Sequence, residues 1–133
     1  RLVSLGVRNF SQDEVTVLDK NKNKKKIFWA HEFKKQGVRA ALKKILPMLA
    51  GRDIYLSFDV DVFDLSLIGS STGTPEPGGL TYGEIVDCFR AILPKVNLIG
   101  ADFVELRPIK NFHAPDFLVA KTIYKALTHA FLK

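Results

Sequence analysis

Three aspartates stand directly after an apolar run in this 133-residue chain: Asp59, Asp61 and Asp64. The run, residues 54–58, is nearly continuous in apolar side chains, which predicts a strand buried on both faces of a parallel sheet. Side chains two residues apart on a strand share a face, so Asp59 and Asp61 are predicted to point the same way. Two adjacent carboxylates at a core edge are tolerated mainly beside a cation or when one is protonated. A metal site is therefore the first hypothesis for the motif.

Three interpretations of the aspartate motif remain open from these residues alone. Paired carboxylates suit hard cations such as Mg²⁺ or Mn²⁺. The same side chains also serve as caps, accepting hydrogen bonds from loop amides. A third interpretation is a phosphatase or phosphotransferase, because that class carries an apolar strand ending in Asp-x-Asp. It also needs an acidic pair at a strand end, which Asp102 and Glu105 imitate.

The elements that position the motif alternate between strand-like and helix-like patterns, which is typical of an α/β fold with a mostly parallel sheet. Strands are predicted over residues 2–7, 27–30, 53–60 and 97–104. Helices are predicted over residues 33–49, 81–93 and 116–132, with a short helix or strand over residues 15–18. Thr81 and Glu84 form a capping-box pattern at the start of the second of these helices. No repeat or linker interrupts the pattern, so residues 1–133 are predicted to belong to a single domain.

Polar side chains follow three of the predicted strands. Asn9 follows the first strand, the three aspartates follow the third, and Glu105 follows the last. In open parallel sheets, ligands bind beyond the carboxyl ends of the strands. These side chains are therefore predicted to meet at one rim of the sheet.

Composition and charge exclude several classes of function. The apolar fraction of 47% and the charged fraction of 26% are ordinary for a soluble globular protein. No run of about 18 apolar residues exists, so no membrane span is expected. The net charge of +6 includes five lysines between residues 20 and 26, without which it is +1; such a run predicts a solvated loop, and no nucleic-acid partner is expected. The single cysteine, Cys88, excludes an internal disulfide and suits a reducing cytoplasm.

A glycine- and proline-rich segment, Thr-Gly-Thr-Pro-Glu-Pro-Gly-Gly-Leu at residues 72–80, follows the aspartate motif. An Asp-x-Asp-x-x-Asp motif followed closely by this segment resembles the ureohydrolase family, which includes arginases, agmatinases and formimidoylglutamases. Gly-Val-Arg at residues 6–8 is similar to the family's Gly-(Ile/Leu)-Arg strand end. Residues 101–108 are similar to its Asp-x-x-Glu-x-x-Pro segment. The resemblance therefore extends over most of the chain.

The resemblance implies a three-layer α-β-α fold with a mostly parallel sheet, of the arginase type. It also implies a pair of Mn²⁺ ions that hold a bridging hydroxide, which attacks a guanidino or amidino carbon and cleaves a C–N bond. In such a site Asp59 and Asp61 are metal ligands, Asp64 orients those ligands or the loop, and Glu105 faces the cationic guanidinium. The expected function is a manganese-dependent hydrolase of a small guanidino or amidino compound.

Two further ligand segments of the family do not occur within residues 1–133. They are of the His-Gly-Gly-Asp-His and Asp-x-His-x-Asp types, whereas His31, His113 and His129 fit surface or capping roles. The chain is therefore expected to be a partial domain, the C-terminal half of a ureohydrolase, incomplete alone and associated with a missing N-terminal half or as a homo-oligomer. The alternative is a non-catalytic, truncated relative that serves as a fold or oligomer module.

Two residues near the first strand end bear on the substrate. Asn9 and Ser11 stand where arginases tend to carry aspartates that hold the α-amino end of their substrate. Arginine itself is therefore not the expected substrate.

Overall fold

The computed structural model describes residues 1–21 and 24–132, so Lys22 of the predicted lysine loop lies outside the described residues. The strands are β1 (Leu2–Val7), β2 (Lys25–Trp29), β3 (Asp53–Asp59) and β4 (Asn97–Val104). The helices are α1 (Gln12–Lys20), α2 (Ala30–Gln36), α3 (Val38–Leu49), α4 (Leu65–Ile68), α5 (Tyr82–Ile92) and α6 (Ala114–Phe131). Single 3₁₀ turns follow β3, at Val60–Val62, and α5, at Leu93–Lys95.

The four strands form two parallel pairs. β1 pairs with β2 and β3 pairs with β4, and helices lie in the connection within each pair. Parallel pairing sets the carboxyl ends of both partners on the same side. The predicted α/β architecture with parallel strands is therefore confirmed, and the first and last strands have their predicted bounds.

The prediction that β3 is buried on both faces is wrong. Phe58 is 5% exposed, whereas Tyr55 is 59% exposed, and burial alternates along the strand. The open face carries polar contacts instead: Asp102 on β4 accepts hydrogen bonds from the Tyr55 hydroxyl (3.0 Å) and the Ser57 hydroxyl (2.7 Å). In this chain, one face of the β3–β4 pair meets the core and the other is exposed.

The buried face of β3 packs into an aromatic cluster, within a core to which three helices contribute most of the buried side chains. The Phe58 ring centroid lies 5.6, 5.7 and 5.2 Å from the centroids of Phe63, Phe89 and Phe103. In α3, α5 and α6 the buried members of the core are Ala41, Leu42 and Ile45, then Ile85, Cys88, Phe89 and Ile92, and lastly Val119 and Ala126. Full burial of a large apolar side chain contributes about 1.5–3 kcal/mol. This core fixes β3, and with it the start of the aspartate motif.

The predicted helix over residues 33–49 is two helices. α2 and α3 meet at Gly37, whose φ of +78° suits glycine and interrupts the helix. The apolar spacing continues from Phe33 in α2 to Leu42 in α3, both buried, so the sequence pattern does not reveal the break. Pro47 lies inside α3, and the helix ends two residues later.

The other helices begin where a side chain accepts a hydrogen bond from a free amide of the first turn, or where proline, which has no such amide, occupies that turn. The capping box predicted for α5 is confirmed, because Thr81 and Glu84 exchange hydrogen bonds with each other's backbone amides. Residues 15–18 are helical, since Ser11 and Glu14 form the same box at the start of α1. α6 begins two residues earlier than predicted, because proline is compatible with the first helical turn. Within the described residues, no helix is long and apolar enough to cross a membrane.

Candidate functional site

The aspartate motif begins where β3 ends. Asp59 is the last residue of the strand and caps a 3₁₀ turn at Val60–Val62; residues 59–62 are called here the aspartate turn. Oδ1 of Asp59 accepts a hydrogen bond from the backbone N–H of Asp61 at 2.9 Å. The prediction that Asp59 and Asp61 share one face of a strand is therefore wrong. The Asp59 side chain bonds a nearby amide, which favours a turn over a continued strand.

The carboxylate of Asp61 is only half satisfied. Its Oδ2 accepts a hydrogen bond from the Thr74 hydroxyl. Its Oδ1 is buried and has no hydrogen-bond partner among the described residues. A buried charged oxygen without a partner is costly, and a bound cation would satisfy it. The free oxygen therefore fits a hard divalent cation at Asp61.

The carboxyl of Asp59 lies among like charges. Burial raises the pKa of Asp59 above its ordinary value of 3.8, and the carboxylates of Asp61 and Glu105 raise it further. The hydrogen bond from the Asp61 amide and the positive charge of Arg8 oppose this rise without cancelling it. A bound cation favours the charged form of a carboxylate and would relieve this repulsion.

Glu105 stands immediately after β4, beside the aspartate turn. The strand register sets Val104 opposite Asp59, so Glu105 follows at the same end of the pair. Its φ is +68°, in a left-handed region that few residues other than glycine adopt. Such backbone conformations cost about 1–3 kcal/mol and concentrate at functional sites. The strained backbone fits a binding role for the Glu105 carboxylate.

Residues 73–76, called here the rim loop, pass in front of these carboxylates. A Cβ added to Gly73 would lie 3.3 Å from Oε2 of Glu105. One residue further on, the Thr74 hydroxyl donates its hydrogen bond to Asp61. The rim loop therefore contacts the residues that follow β4 and β3 in turn.

The far end of the rim loop reaches the residues that follow β1. Oε1 of Glu76 accepts a hydrogen bond from Nδ2 of Asn9 at 3.4 Å. The polar residues after three strands thus lie along one loop, as the sheet argument predicted. The order along the loop is Glu105, then the aspartate turn, then Asn9.

Asp64 has a different environment from the other two aspartates. It precedes α4, and its Oδ1 accepts hydrogen bonds from the backbone N–H (3.1 Å) and the hydroxyl (2.8 Å) of Ser66. These hydrogen bonds lower the pKa of Asp64 below its ordinary value of 3.8. The structure therefore shows Asp64 as the cap of α4, and its role in orienting the metal ligands or the loop stays a prediction.

A backbone seam joins the aspartate motif to the glycine-rich segment. The amide of Leu80 donates to the carbonyl of Val62 (2.8 Å), and the amide of Asp64 donates to the carbonyl of Leu80 (2.9 Å). A Cβ added to Gly79 would lie 2.2 Å from the carbonyl oxygen of Phe63. Only glycine allows this approach, which is a physical reason for the Gly-Gly sequence.

Arg8, the residue after β1, supports the aspartate turn, a role that the sequence pattern did not reveal. Its guanidinium donates hydrogen bonds to the backbone carbonyls of Asp61 and Val62. Gly6, with φ +77°, permits this approach, because a Cβ there would lie 2.6 Å from a methyl carbon of Val62. Thr74 was likewise missed as a partner of Asp61. For the Arg8 contact, the signal available in the sequence was Gly6, which lies two residues before Arg8 at the end of β1.

The described part of the chain does not contain a complete metal site. Residues 1–21 and 24–132 hold no group of three or more His, Cys, Asp or Glu side chains placed to bind one ion. His113 precedes α6, with its Nδ1 3.5 Å from a carboxylate oxygen of Asp116. His31 and His129 lie in α2 and α6. The aspartate turn therefore offers two carboxylates, and further ligands would have to come from elsewhere.

A model of the arginase family matches residues 1–129. The chain belongs to the arginase family. An N(1)-aminopropylagmatine ureohydrolase of Thermus thermophilus is 37% identical over 126 residues, which are 95% of this chain and 41% of that protein. The agmatine ureohydrolase of Thermoplasma volcanium superposes with a TM-score of 0.82 at 25% identity, over 98% of this chain and 42% of the other. For the arginase from Bacillus caldovelox the TM-score is 0.78 at 28% identity, over 94% of this chain and 42% of the other.

Membership of the arginase family confirms the resemblance seen in the aspartate motif and residues 72–80. It also confirms the arginase-type fold, which the solved arginase structure shares. The phosphotransferase alternative is thereby removed. The chain spans about two fifths of the length of the relatives it matches.

Proposed function

We propose that this chain supplies part of the active site of a ureohydrolase, which cleaves a C–N bond of a guanidino or amidino compound with the help of bound metal. The observation that carries the proposal is the unpartnered, buried Oδ1 of Asp61 beside the crowded carboxylates of Asp59 and Glu105. Chain-internal hydrogen bonds satisfy Asp64 but leave this oxygen free. Membership of the arginase family supports the reaction class.

Asp59 and Asp61 are the proposed metal ligands, and the metal is proposed to be a pair of Mn²⁺ ions. Carboxylate oxygens are ligands that Mn²⁺ accepts, and the donors at the turn are of that type. When bound, such ions activate water and stabilise developing negative charge. Two carboxylates do not complete a two-ion site, so residues outside this chain's described part are proposed to contribute the remaining ligands.

The other residues of the rim have proposed roles in binding and support. Glu105 accepts hydrogen bonds from the cationic guanidinium, a charge-assisted contact of the stronger kind. Arg8 holds the carbonyls of the aspartate turn, and Asp64 holds the start of α4. These supports fix the carboxylates before the substrate arrives, which favours catalysis by reducing the reorganisation needed at the reaction step.

The proposed substrate is a small guanidino compound of the kind named for the relatives, such as agmatine. The relatives carry the names agmatinase and N(1)-aminopropylagmatine ureohydrolase. We further propose that the working protein is a homo-oligomer in the cytoplasm, where Cys88 stays reduced.

A non-catalytic relative that serves as a fold or oligomer module is the second candidate. One observation favours it: the described residues hold no three-ligand metal cluster. A protein that kept the fold but had lost the remaining ligands would show the same arrangement. Activity of the complete gene product separates the two candidates.

The test uses the complete gene product, with any residues encoded outside positions 1–133. The protein is stripped of metal with a chelator and reloaded with Mn²⁺, and bound metal and urea release are measured with agmatine, arginine and 4-guanidinobutyrate. The expected result is Mn²⁺ binding together with urea release from at least one of these compounds, lost on chelation and restored on reloading. A folded protein that binds no Mn²⁺ and releases no urea would establish the non-catalytic alternative.

A further inference from the structure

Glu76 is an acidic residue of the rim that the proposed reaction does not use. It is partly buried at the far end of the rim loop from Glu105, and its Oε1 accepts a hydrogen bond from the neutral amide of Asn9. Within residues 1–21 and 24–132, no nitrogen of Lys, Arg or His lies within 4 Å of its carboxylate. The negative charge of Glu76 is therefore not neutralised by a cation in the described chain.

The rim loop fixes the spacing between the two outer carboxylates. Gly73 lies against Glu105, and Glu76 follows three residues later beside Asn9. Three residues of extended chain span at most about 10 Å. The aspartate turn lies between the two ends, held to the loop through Thr74. A short, extended ligand with one end at Glu105 can therefore reach Glu76 with its other end.

We infer that Glu76 is a specificity-determining residue that selects guanidino compounds carrying a second cationic group at the far end of their chain. The inference rests on the proposed function, because it takes the guanidinium to lie at Glu105. A carboxylate at the rim attracts an ammonium group and repels a carboxylate group. Repulsion of the wrong end group is as effective a source of specificity as attraction of the right one.

Two compounds form a matched pair for the test: agmatine, whose far end is an ammonium group, and 4-guanidinobutyrate, whose far end is a carboxylate. The ratio of kcat/KM for agmatine to that for 4-guanidinobutyrate is measured in the complete, Mn²⁺-loaded protein and in its Glu76→Gln variant. We expect Glu76→Gln to lower this ratio by about fivefold, the size of one partly solvated charge pair. The change should lie mainly in KM, because the contact is remote from the reacting carbon.

Two further variants guard against indirect effects. Glu32→Gln makes the same chemical change at an exposed position in α2, outside the rim, and should leave the ratio unchanged. Asn9→Asp adds a second negative charge beside Glu76 and should raise the ratio.

The outcomes separate this inference from the proposed function. If the wild-type protein releases urea and Glu76→Gln leaves the ratio unchanged, the inference is wrong and the proposed function stands. If a folded wild-type protein hydrolyses neither these compounds nor arginine, the proposed function is wrong and the inference fails with it. A fall in the ratio with Glu76→Gln, without a fall with Glu32→Gln, supports the inference.

Discussion

The aspartate turn and the Asp64 cap are two parts of the same six-residue motif. They differ in how far hydrogen bonds within the chain satisfy their carboxylates. At the turn, Asp61 keeps a buried oxygen without a partner in the described chain, and burial with neighbouring carboxylates raises the pKa of Asp59. At the cap, Ser66 supplies two hydrogen bonds to Asp64 and lowers its pKa. One part is complete as folded, whereas the other is electrostatically incomplete.

The comparison shows why spacing alone does not assign roles to carboxylates. An Asp side chain can cap a turn or helix by accepting a hydrogen bond from the backbone N–H two residues further on, whether or not a metal is near. Both Asp59 and Asp64 do so. What differs is the surroundings: Asp59 faces two other carboxylates, whereas Asp64 faces hydroxyl and amide donors. Removing a residue from each part should therefore affect different properties of the protein.

The largest difference is expected in metal binding. In the complete protein, Asp61→Ala should abolish hydrolysis and lower Mn²⁺ affinity by at least about 100-fold. Loss of a residue that only supports a metal ligand costs up to about 100-fold in affinity, and loss of the ligand itself should cost at least as much. Asp64→Ala should lose less Mn²⁺ affinity than Asp61→Ala, because Asp64 is not a proposed ligand and acts only through the residues that it supports. Isothermal titration calorimetry measures both, with circular dichroism as the folding control. Equal losses in the two variants would erase the distinction between turn and cap.

A second prediction breaks the seam that holds both parts in place. Gly79→Ala puts a Cβ 2.2 Å from the carbonyl oxygen of Phe63, so the backbone must move. We expect a loss of about 1–3 kcal/mol in the free energy of unfolding, measured by urea denaturation. Gly83→Ala is the matched control in α5, where a Cβ meets nothing of the described chain within 4 Å. That change should be neutral or stabilising by up to about 1 kcal/mol. A similar loss in both variants would show that the close backbone approach at Gly79 is not the cause.

The sequence predicts the rim well and its local geometry poorly. Asp59 and Glu105 were placed at strand ends correctly, since an apolar run ending in carboxylates is a strong signal in an α/β pattern. The 3₁₀ turn was missed, because an aspartate side chain that competes for a backbone amide leaves no mark in hydrophobic periodicity. The exposure of Tyr55 was missed because tyrosine resembles a core residue in the pattern, whereas its hydroxyl bonds Asp102 on the open face.

The break at Gly37 shows a similar limit for helices. The apolar stripe of α2 continues in phase into α3, so periodicity indicates one helix where the backbone forms two. A lone glycine is compatible with either outcome, and at Gly37 the φ of +78° ends one helix before the next begins.

A third, smaller effect concerns the cap itself. Asp64→Ala removes both hydrogen bonds from Ser66 and should lower the free energy of unfolding by about 1 kcal/mol, the usual cost of losing a helix cap. Asp64→Asn keeps an acceptor oxygen and should lose less. Urea denaturation midpoints compare the two, provided that the slopes stay equal. If Asp64→Asn and Asp64→Ala lower the free energy of unfolding equally, the cap does not act through these hydrogen bonds.

The smallest and most direct test of the comparison is the titration of the two carboxyls in the metal-free protein. We expect Asp59 to titrate above 3.8 and Asp64 below it, measured by carbon-detected NMR of the side-chain carboxyl groups. The raised pKa of Asp59 means that its contribution to stability is full below 3.8 and is lost as the pH rises through its folded pKa. The lowered pKa of Asp64 means that its contribution is full above 3.8 and is lost as the pH falls through its folded pKa.

Added Mn²⁺ should separate the two carboxyls further. A cation at the turn favours the charged form of Asp59 and should bring its pKa down, whereas Asp64, already satisfied by Ser66, should change little. Asp59→Asn should remove the loss of stability above 3.8 in the metal-free protein, and Asp64→Asn should remove the loss below it. An Asp59 that titrates at or below 3.8 without metal would show that the carboxylates at the turn are not crowded, and the case for a cation there would then rest on the Asp61 oxygen alone.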